Sequence, residues 1–182
     1  MVKQGKAIKI CLMNRGADRE TPWAHDLGPV AGRKGSRKVR LANVPFMHAK
    51  PTWGDVIVVA PGADELLTWD RDGAPFAQLA TRIAADGGRW AMIVEYTPRA
   101  AARRIDKIFE SLARACAELD VVCEGAWAPA KAKAGRVYLA VPAALTDVAV
   151  MTGLAAADLP CKLVQVHPAP KPARKPRTGR RA

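Results

Sequence analysis

The chain has 182 residues and carries 29 Lys and Arg against 17 Asp and Glu, which gives a formal net charge of +12. A hydrophobic fraction of 49% excludes a chain that is disordered throughout, and the length allows one large or two small domains with a buried core. No apolar run approaches the roughly 20 residues that span a bilayer. The N-terminal apolar stretch is too short for a signal peptide, so we expect a soluble cytoplasmic protein.

The positive charge is concentrated in two segments. Residues 27–54 contain six basic residues and no acidic residue, and residues 168–182 contain six more basic residues. Residues 55–167 have a net charge of −2, so most of the chain is nearly neutral. Because residues 168–182 lack apolar periodicity and are rich in Pro, they are predicted to form an extended, disordered basic tail.

Short strands with turn signals between them are predicted for the first half of the chain. Residues 6–13 and 37–44 alternate apolar and other side chains, and residues 54–62 form a β-branched run typical of a strand buried on both faces. The spacing of residues 76–85 also fits a helix, but the turns beside them favour a strand. The succession of strands predicts a small barrel or a strongly curled sheet for residues 1–89, because closure hides the strand edges.

Two Asp-Gly pairs interrupt this half of the chain. Asp72-Gly73 and Asp86-Gly87 each stand between apolar runs. Type I′ turns need positive φ at both central positions, and an Asp-Gly pair tolerates that backbone conformation. Both pairs therefore predict β-hairpins.

The second half of the chain has the order strand, helix, strand, strand, helix, strand. Thr97-Pro98 supplies an N-cap followed by Pro at the first helical position, and Thr146-Asp147 opens the second helix. This order predicts a ferredoxin-like β-α-β-β-α-β unit over residues 90–167, with both helices on one face of an antiparallel sheet. The predicted fold class is therefore α+β.

The cysteines show no metal-binding or redox pattern. None of them forms a CxxC pair, and no His stands at metal-ligand spacing from them. Reduced structural thiols are the plain interpretation, and they indicate the cytoplasm. We expect no metal and no cofactor. The four residues are Cys11, Cys116, Cys123 and Cys161.

Three stretches of the first half form a pattern that resembles a known family. They are "ETPWAHDLG" (20–28), "VRLANVPF" (39–46) and "TWGDVIVV" (52–59). The family consists of small bacterial proteins known only as a domain of unknown function. The resemblance covers roughly residues 7–97, and it implies a compact two-part α+β protein but no reaction. The matching residues are Glu20, Trp23, Ala24, Asn43, Pro45, Phe46, Gly54 and Asp55.

Structural roles are favoured for the polar residues of this pattern. Asn43 stands at a strand end, where its side chain can cap a turn, and Phe46 is expected to anchor the loop in the core. Asp55 precedes a buried strand and is expected to brace a turn by accepting backbone N–H groups. A binding role for Asn43 is the weaker alternative.

The sequence contains no standard catalytic constellation. His25, His48 and Asp55 could form an acid/base or metal site if the fold brought them together. No HxH, HxxxH or HExxH spacing supports that site, and the chain has no GxSxG, P-loop or GxGxxG after a strand. The predicted ferredoxin-like sheet also lacks the RNP consensus of RNA-recognition motifs and offers only Tyr138 on one strand. We therefore expect a protein that is not an enzyme.

The two basic segments are interpreted as contacts for nucleic-acid phosphates, with solubility alone as the plainer alternative. Such contacts release counterions and give affinity without reading sequence. The expected role is a non-enzymatic bacterial accessory protein that binds RNA or DNA nonspecifically. The alternative is a protein-interaction module, such as an immunity or regulatory partner, that binds through its sheet or through Trp23 and Trp53. The predicted contact residues are Arg33, Lys34, Arg37, Lys38, Arg40, Lys171, Arg174, Lys175, Arg177, Arg180 and Arg181.

Overall fold

The computed structural model of the chain describes residues 5–13, 19–61, 78–96, 105–127, 135–157, 159 and 161–166. The protein is α+β, with mostly antiparallel sheet and two helices in these residues. The first half contains β1 (Ala7–Lys9), β2 (Leu12–Met13), β3 (Arg19–Glu20), β4 (Trp23–Pro29), β5 (Arg37–Leu41), β6 (Val56–Pro61) and β7 (Gln78–Ala85). The second half contains β8 (Arg89–Tyr96), α1 (Ile105–Glu118), β9 (Val122–Trp127), β10 (Gly135–Pro142), α2 (Asp147–Ala156) and β11 (Cys161–Val166).

A five-stranded antiparallel sheet is built from the first half, with the strand order β1-β4-β5-β6-β7. Because side chains alternate between the two faces of a strand, every second residue of β5 and β6 enters the same core. Val39 and Leu41 of β5 and Ile57 and Val59 of β6 are buried there, together with Ala24 of β4. The residues between them point to the other face of the sheet, which is called the outer face here, although Val58 of β6 is buried on that face too.

Cys11 connects the two edges of this sheet. Its carbonyl accepts a 2.9 Å hydrogen bond from the N–H of Ala80 in β7, and it forms a parallel bridge with Leu79. The predicted strand 6–13 is interrupted at Ile10. Its N–H donates to the Pro22 carbonyl in the register of β1 and β4, and the ladder ends there because Pro22 has no N–H to donate in return. The chain that follows β1 therefore reaches β7 at the opposite edge.

A four-stranded antiparallel sheet is built from the second half, with the strand order β11-β8-β10-β9. Both helices pack on one face of it: Leu112 and Cys116 of α1 and Leu154 of α2 share a core with Met92 and Leu139 of the central strands. Burial of each large apolar side chain contributes about 1.5–3 kcal/mol. Neither helix in the described part of the chain is long and apolar enough to cross a membrane.

Two local predictions are confirmed, and two lie outside the described residues. Residues 76–85 were predicted as a strand, and β7 covers most of them. Thr146 caps α2, because its side chain accepts a hydrogen bond from the N–H of Ala149. The predicted turn at Asp72-Gly73 and the predicted helix start at Thr97-Pro98 fall among the residues that are not described.

The hairpin predicted at Asp86-Gly87 is wrong, because β7 and β8 belong to different sheets. The turn instead packs on the start of β6. Gly87 donates its N–H to Asp55, and an added Cβ on Gly87 would lie 2.7 Å from the carbonyl carbon of Gly54. Asp86 accepts hydrogen bonds from the Gly88 N–H and from Lys50. The Asp-Gly pair thus holds the connection between two sheets rather than closing one hairpin.

Candidate nucleic-acid interface

The basic segment 33–40 lies on a hairpin formed by β4 and β5, which pair antiparallel. Residues 30–36 connect them through three backbone hydrogen bonds, including one of 2.9 Å from Val30 N to Ser36 O. Gly32 and Gly35 adopt positive φ of 70° and 76°, which only glycine enters without strain. Arg33 and Lys34 are exposed at the tip. The connection is a hydrogen-bonded turn that projects two cations.

Arg37 differs from the other predicted contact residues because it is paired within the chain. Its Nε donates to Asp26 Oδ2 at 2.9 Å, and its terminal nitrogen contacts the same oxygen. The hydrogen bond from Arg37 is the main reason that the pKa of Asp26 lies below its ordinary value, and the N–H of Gly28 adds to the effect. The same pair raises the pKa of Arg37. Arg37 is therefore neutralised by a carboxylate and orders the start of β5.

Lys38 and Arg40 occupy the outer face of the five-stranded sheet. In antiparallel pairing, residues directly opposite each other point to the same face. Lys38 lies opposite Val58, which lies opposite Arg82 of β7, and Arg40 lies opposite His25 of β4. Lys38, Arg40 and Arg82 are all exposed, and none of them forms an ion pair with a carboxylate of the described residues. The sheet thus presents three cations on one face, and the part of the chain that the structure describes supplies no carboxylate partner for them.

Trp23 is an exposed aromatic residue on the same face. It precedes His25 by two positions on β4, while Ala24 between them is fully buried in the core. The Trp23 side chain keeps 47% of its surface exposed, and Lys9 of β1 lies opposite it with its Nζ 5.1 Å from the ring centroid. Sequence reasoning missed both Trp23 and Arg82 as members of a basic surface. The alternation of Trp23, Ala24 and His25 is the signal that indicates a strand here.

The predicted acid/base residues have separate partners. The Nδ1 atom of His25 lies 3.4 Å from the carbonyl oxygen of Gly5, and that of His48 lies 3.2 Å from the Glu20 carboxylate. Asp55 is fully buried and accepts hydrogen bonds from Lys50 and from two backbone N–H groups. No hydrogen bond among the described residues joins the three. Nor do those residues include a cluster of three His, Cys, Asp or Glu side chains suited to a metal ion.

The Asn-Val-Pro-Phe stretch lies between the two sheets. Asn43 Oδ1 accepts a 2.6 Å hydrogen bond from Trp23 N, and Asn43 Nδ2 donates to Glu124 of β9 at 3.1 Å. Phe46 is 48% exposed, so the prediction that it anchors the loop in the core is wrong. It stacks instead on Tyr138 of β10, with ring centroids 4.2 Å apart. Asn43 therefore has a structural role, but its side chain joins two distant segments, where the sequence predicted that it caps its own turn.

The carboxylates of Glu20 and Glu124 hold this stretch in place. Glu20 accepts hydrogen bonds from the backbone N–H groups of Phe46 and Met47, and Glu124 accepts a 2.8 Å hydrogen bond from Val44 N. Both line a cleft of about 270 Å³ between the sheets. Since their oxygens already accept backbone donors, these carboxylates serve mainly to position the loop.

The predicted tail contacts and the comparisons with known proteins add no further site. The six basic residues of segment 168–182 lie outside the described residues. The chain matches no family model, and no curated protein is significantly similar to it in sequence. The resemblance to the bacterial family of unknown function stays a prediction that depends on eight residues of the first half.

Proposed function

We propose that the protein is a non-enzymatic accessory protein that binds nucleic acid by nonspecific contact with phosphates. One observation carries the proposal: Lys38, Arg40 and Arg82 are exposed on one sheet face without an ion-pair partner among the described residues. Arg33 and Lys34 extend this charge to the hairpin tip. A surface of fixed, unneutralised cations attracts polyanions and raises their association rate.

The placement of the cations favours a ligand over a merely soluble surface. A solvated surface usually intersperses both charge signs. Where this chain brings Arg37 or Lys50 near a carboxylate, the pair forms: Arg37 with Asp26, and Lys50 with Asp55. The outer face instead places Lys38 and Arg40 on one strand about 7 Å apart, with no acidic side chain in the register between them.

The proposal extends to the architecture and to the tail. The strand order β11-β8-β10-β9, with helices after β8 and β10, supports a ferredoxin-like second unit. The bridge of Cys11 to Leu79 supports barrel-like closure of the first unit. The basic residues of segment 168–182 would add a second set of phosphate contacts. Four free cysteines agree with a reducing cytoplasm as the setting.

Binding of a labelled mixed-sequence 20-nucleotide oligonucleotide at low salt, measured by fluorescence anisotropy, tests the proposal. Lys38→Gln with Arg40→Gln is expected to weaken binding about tenfold, because two phosphate contacts are lost. Lys162→Gln with Arg136→Gln removes the same charge from exposed positions of the other sheet and is the matched control. Neutralising the six tail cations in the full chain measures the contribution of the tail. Absence of binding by the unmodified protein, or equal affinities for both double variants, would contradict the proposal.

A second candidate function is a protein-interaction module, and one observation favours it. Phe46 and Met47 are 48% and 45% exposed beside the cleft between the sheets. Apolar docking responds little to salt, whereas phosphate contact weakens steeply with salt. A partner protein that stays bound at high salt and is released by Phe46→Ser would favour this second function.

A further inference from the structure

The outer face carries an aromatic side chain among its cations, and phosphate contact alone does not account for it. Trp23 and His25 of β4 lie side by side on this face, and Arg40 of β5 lies directly opposite His25. Strand geometry therefore places Trp23 and Arg40 about 8 Å apart, because they lie on neighbouring strands and are offset by two residues along the strand direction. Exposing the apolar surface of a Trp side chain to water is unfavourable. Trp23 is not needed to complete the core, because the neighbouring Ala24 is the residue of β4 that is fully buried there.

The surroundings of the Trp23 ring show what kind of group it can accept. Lys9 lies over the ring, so its π-system already contacts a cation. With 47% of its surface still exposed, the ring retains area for a second planar or apolar group. Cations beside an exposed indole are the combination that binds single-stranded nucleic acid, where the base stacks and the phosphates meet Lys and Arg.

We infer that the outer face binds single-stranded nucleic acid, with Trp23 stacking on a base while Arg40 and Lys38 contact the adjoining phosphates. This inference rests on the proposed function and names the form of nucleic acid that it prefers. Bases of a duplex are stacked on each other inside the helix, so a side chain on a sheet face cannot stack on them. Phosphate contacts, in contrast, are available in both forms.

Trp23 and the neighbouring cations of the outer face contribute to binding in different ways. Trp23 supplies preference for the single strand and contributes little to the salt dependence, because stacking releases no counterions. Arg40, Lys38 and Arg82 supply the salt-dependent part, because each neutralised phosphate releases counterions. Substitutions on this one face should therefore separate the two effects.

The test compares a labelled 20-nucleotide single strand with its 20-base-pair duplex, with anisotropy measured on the full chain. Trp23→Ala is expected to weaken single-strand binding about tenfold and to leave duplex binding within about twofold, while Trp23→Phe retains most of the affinity. Phe46→Ala removes an equally exposed aromatic ring from another surface and should change neither affinity beyond about twofold. Thermal unfolding of each variant confirms that it is folded.

The outcomes separate this inference from the proposed function. If the unmodified protein binds the duplex as tightly as the single strand, or if Trp23→Ala binds the single strand like the unmodified protein, the stacking role is overturned. The phosphate-binding proposal then stands, provided that Lys38→Gln with Arg40→Gln still weakens binding. If the unmodified protein binds neither form at low salt, both proposals are overturned together.

Discussion

Asn43 and Glu124 are 81 positions apart in the chain, and Asn43 Nδ2 donates a 3.1 Å hydrogen bond to Glu124 Oε2. The other end of the same amide accepts from the Trp23 N–H. One side chain therefore links β4, which carries the exposed Trp23, to β9 of the four-stranded sheet. Glu124 reinforces the link through its hydrogen bond from the backbone of Val44.

This link predicts a stability effect for Asn43→Ala. The variant leaves the Trp23 N–H without its acceptor and removes one of the two hydrogen bonds that Glu124 Oε2 accepts, so the free energy of unfolding should fall by about 1–2 kcal/mol. Urea unfolding measures the change. Gln165→Ala, at an exposed position of β11, is the control and should change the free energy by less than about 0.5 kcal/mol. Equal effects of the two substitutions would show that the link is not stabilising.

The Asp26–Arg37 pair predicts a pH-dependent contribution to stability. The hydrogen bond from Arg37 lowers the pKa of Asp26 in the folded state relative to about 3.9 in the unfolded chain. The contribution is therefore fully present above about pH 4 and is lost as the pH falls through the lowered folded pKa. Because Arg37 is 39% exposed and the pair is partly screened, Asp26→Asn should cost less than about 1 kcal/mol at pH 7.

Urea unfolding of the unmodified protein and of Asp26→Asn, repeated from pH 7 down to about pH 2, measures that contribution. The difference between the two proteins should shrink as the pH falls, since the protonated carboxyl no longer attracts Arg37. A difference that grows toward low pH would contradict the assigned role of this pair.

Asp55 predicts the largest effect among the charged residues. It is fully buried and accepts hydrogen bonds from Lys50, Thr52 and Gly87. Asp55→Ala leaves the Lys50 ammonium without this partner and leaves two backbone donors unsatisfied, so the expected loss is about 3–5 kcal/mol. Asp86→Ala removes the other, 47% exposed carboxylate that contacts Lys50 and should cost less than about 1 kcal/mol. Similar melting temperatures for the two variants would refute this account.

Local patterns predicted the elements whose identity is set by their own side chains. The β-branched run of β6 and the Thr146 cap of α2 are such cases, since burial on both faces and the capping hydrogen bond are properties of a few adjacent residues. The structural role expected for Asp55 also followed from its position ahead of β6. Its actual partners include Gly87, which no local pattern identifies.

The residues of the candidate site are brought together by the pairing register of the strands, and local sequence patterns do not specify that register. β4 was missed because "WAHDLGP" has no β-branched residue, and it is a strand through its pairing with both β1 and β5. Arg82 joins Lys38 only through the alignment of β5, β6 and β7. Phe46 was expected in the core because no local pattern identifies its actual partner, Tyr138, which lies in the other sheet. The Asp86-Gly87 turn was misassigned for the same reason, since β8 pairs with strands that follow it in sequence.

The salt dependence of oligonucleotide binding tests the central claim most directly. The triple variant Arg33→Gln, Lys38→Gln, Arg40→Gln removes three phosphate contacts, so the slope of log K against log salt should become shallower by about 2 for a single strand. The matched triple variant Arg114→Gln, Lys162→Gln, Arg136→Gln removes the same charge from exposed positions away from the outer face and should keep the slope of the unmodified protein. Equal slopes for the unmodified protein and the Arg33, Lys38, Arg40 variant would contradict the claim that these cations meet phosphates.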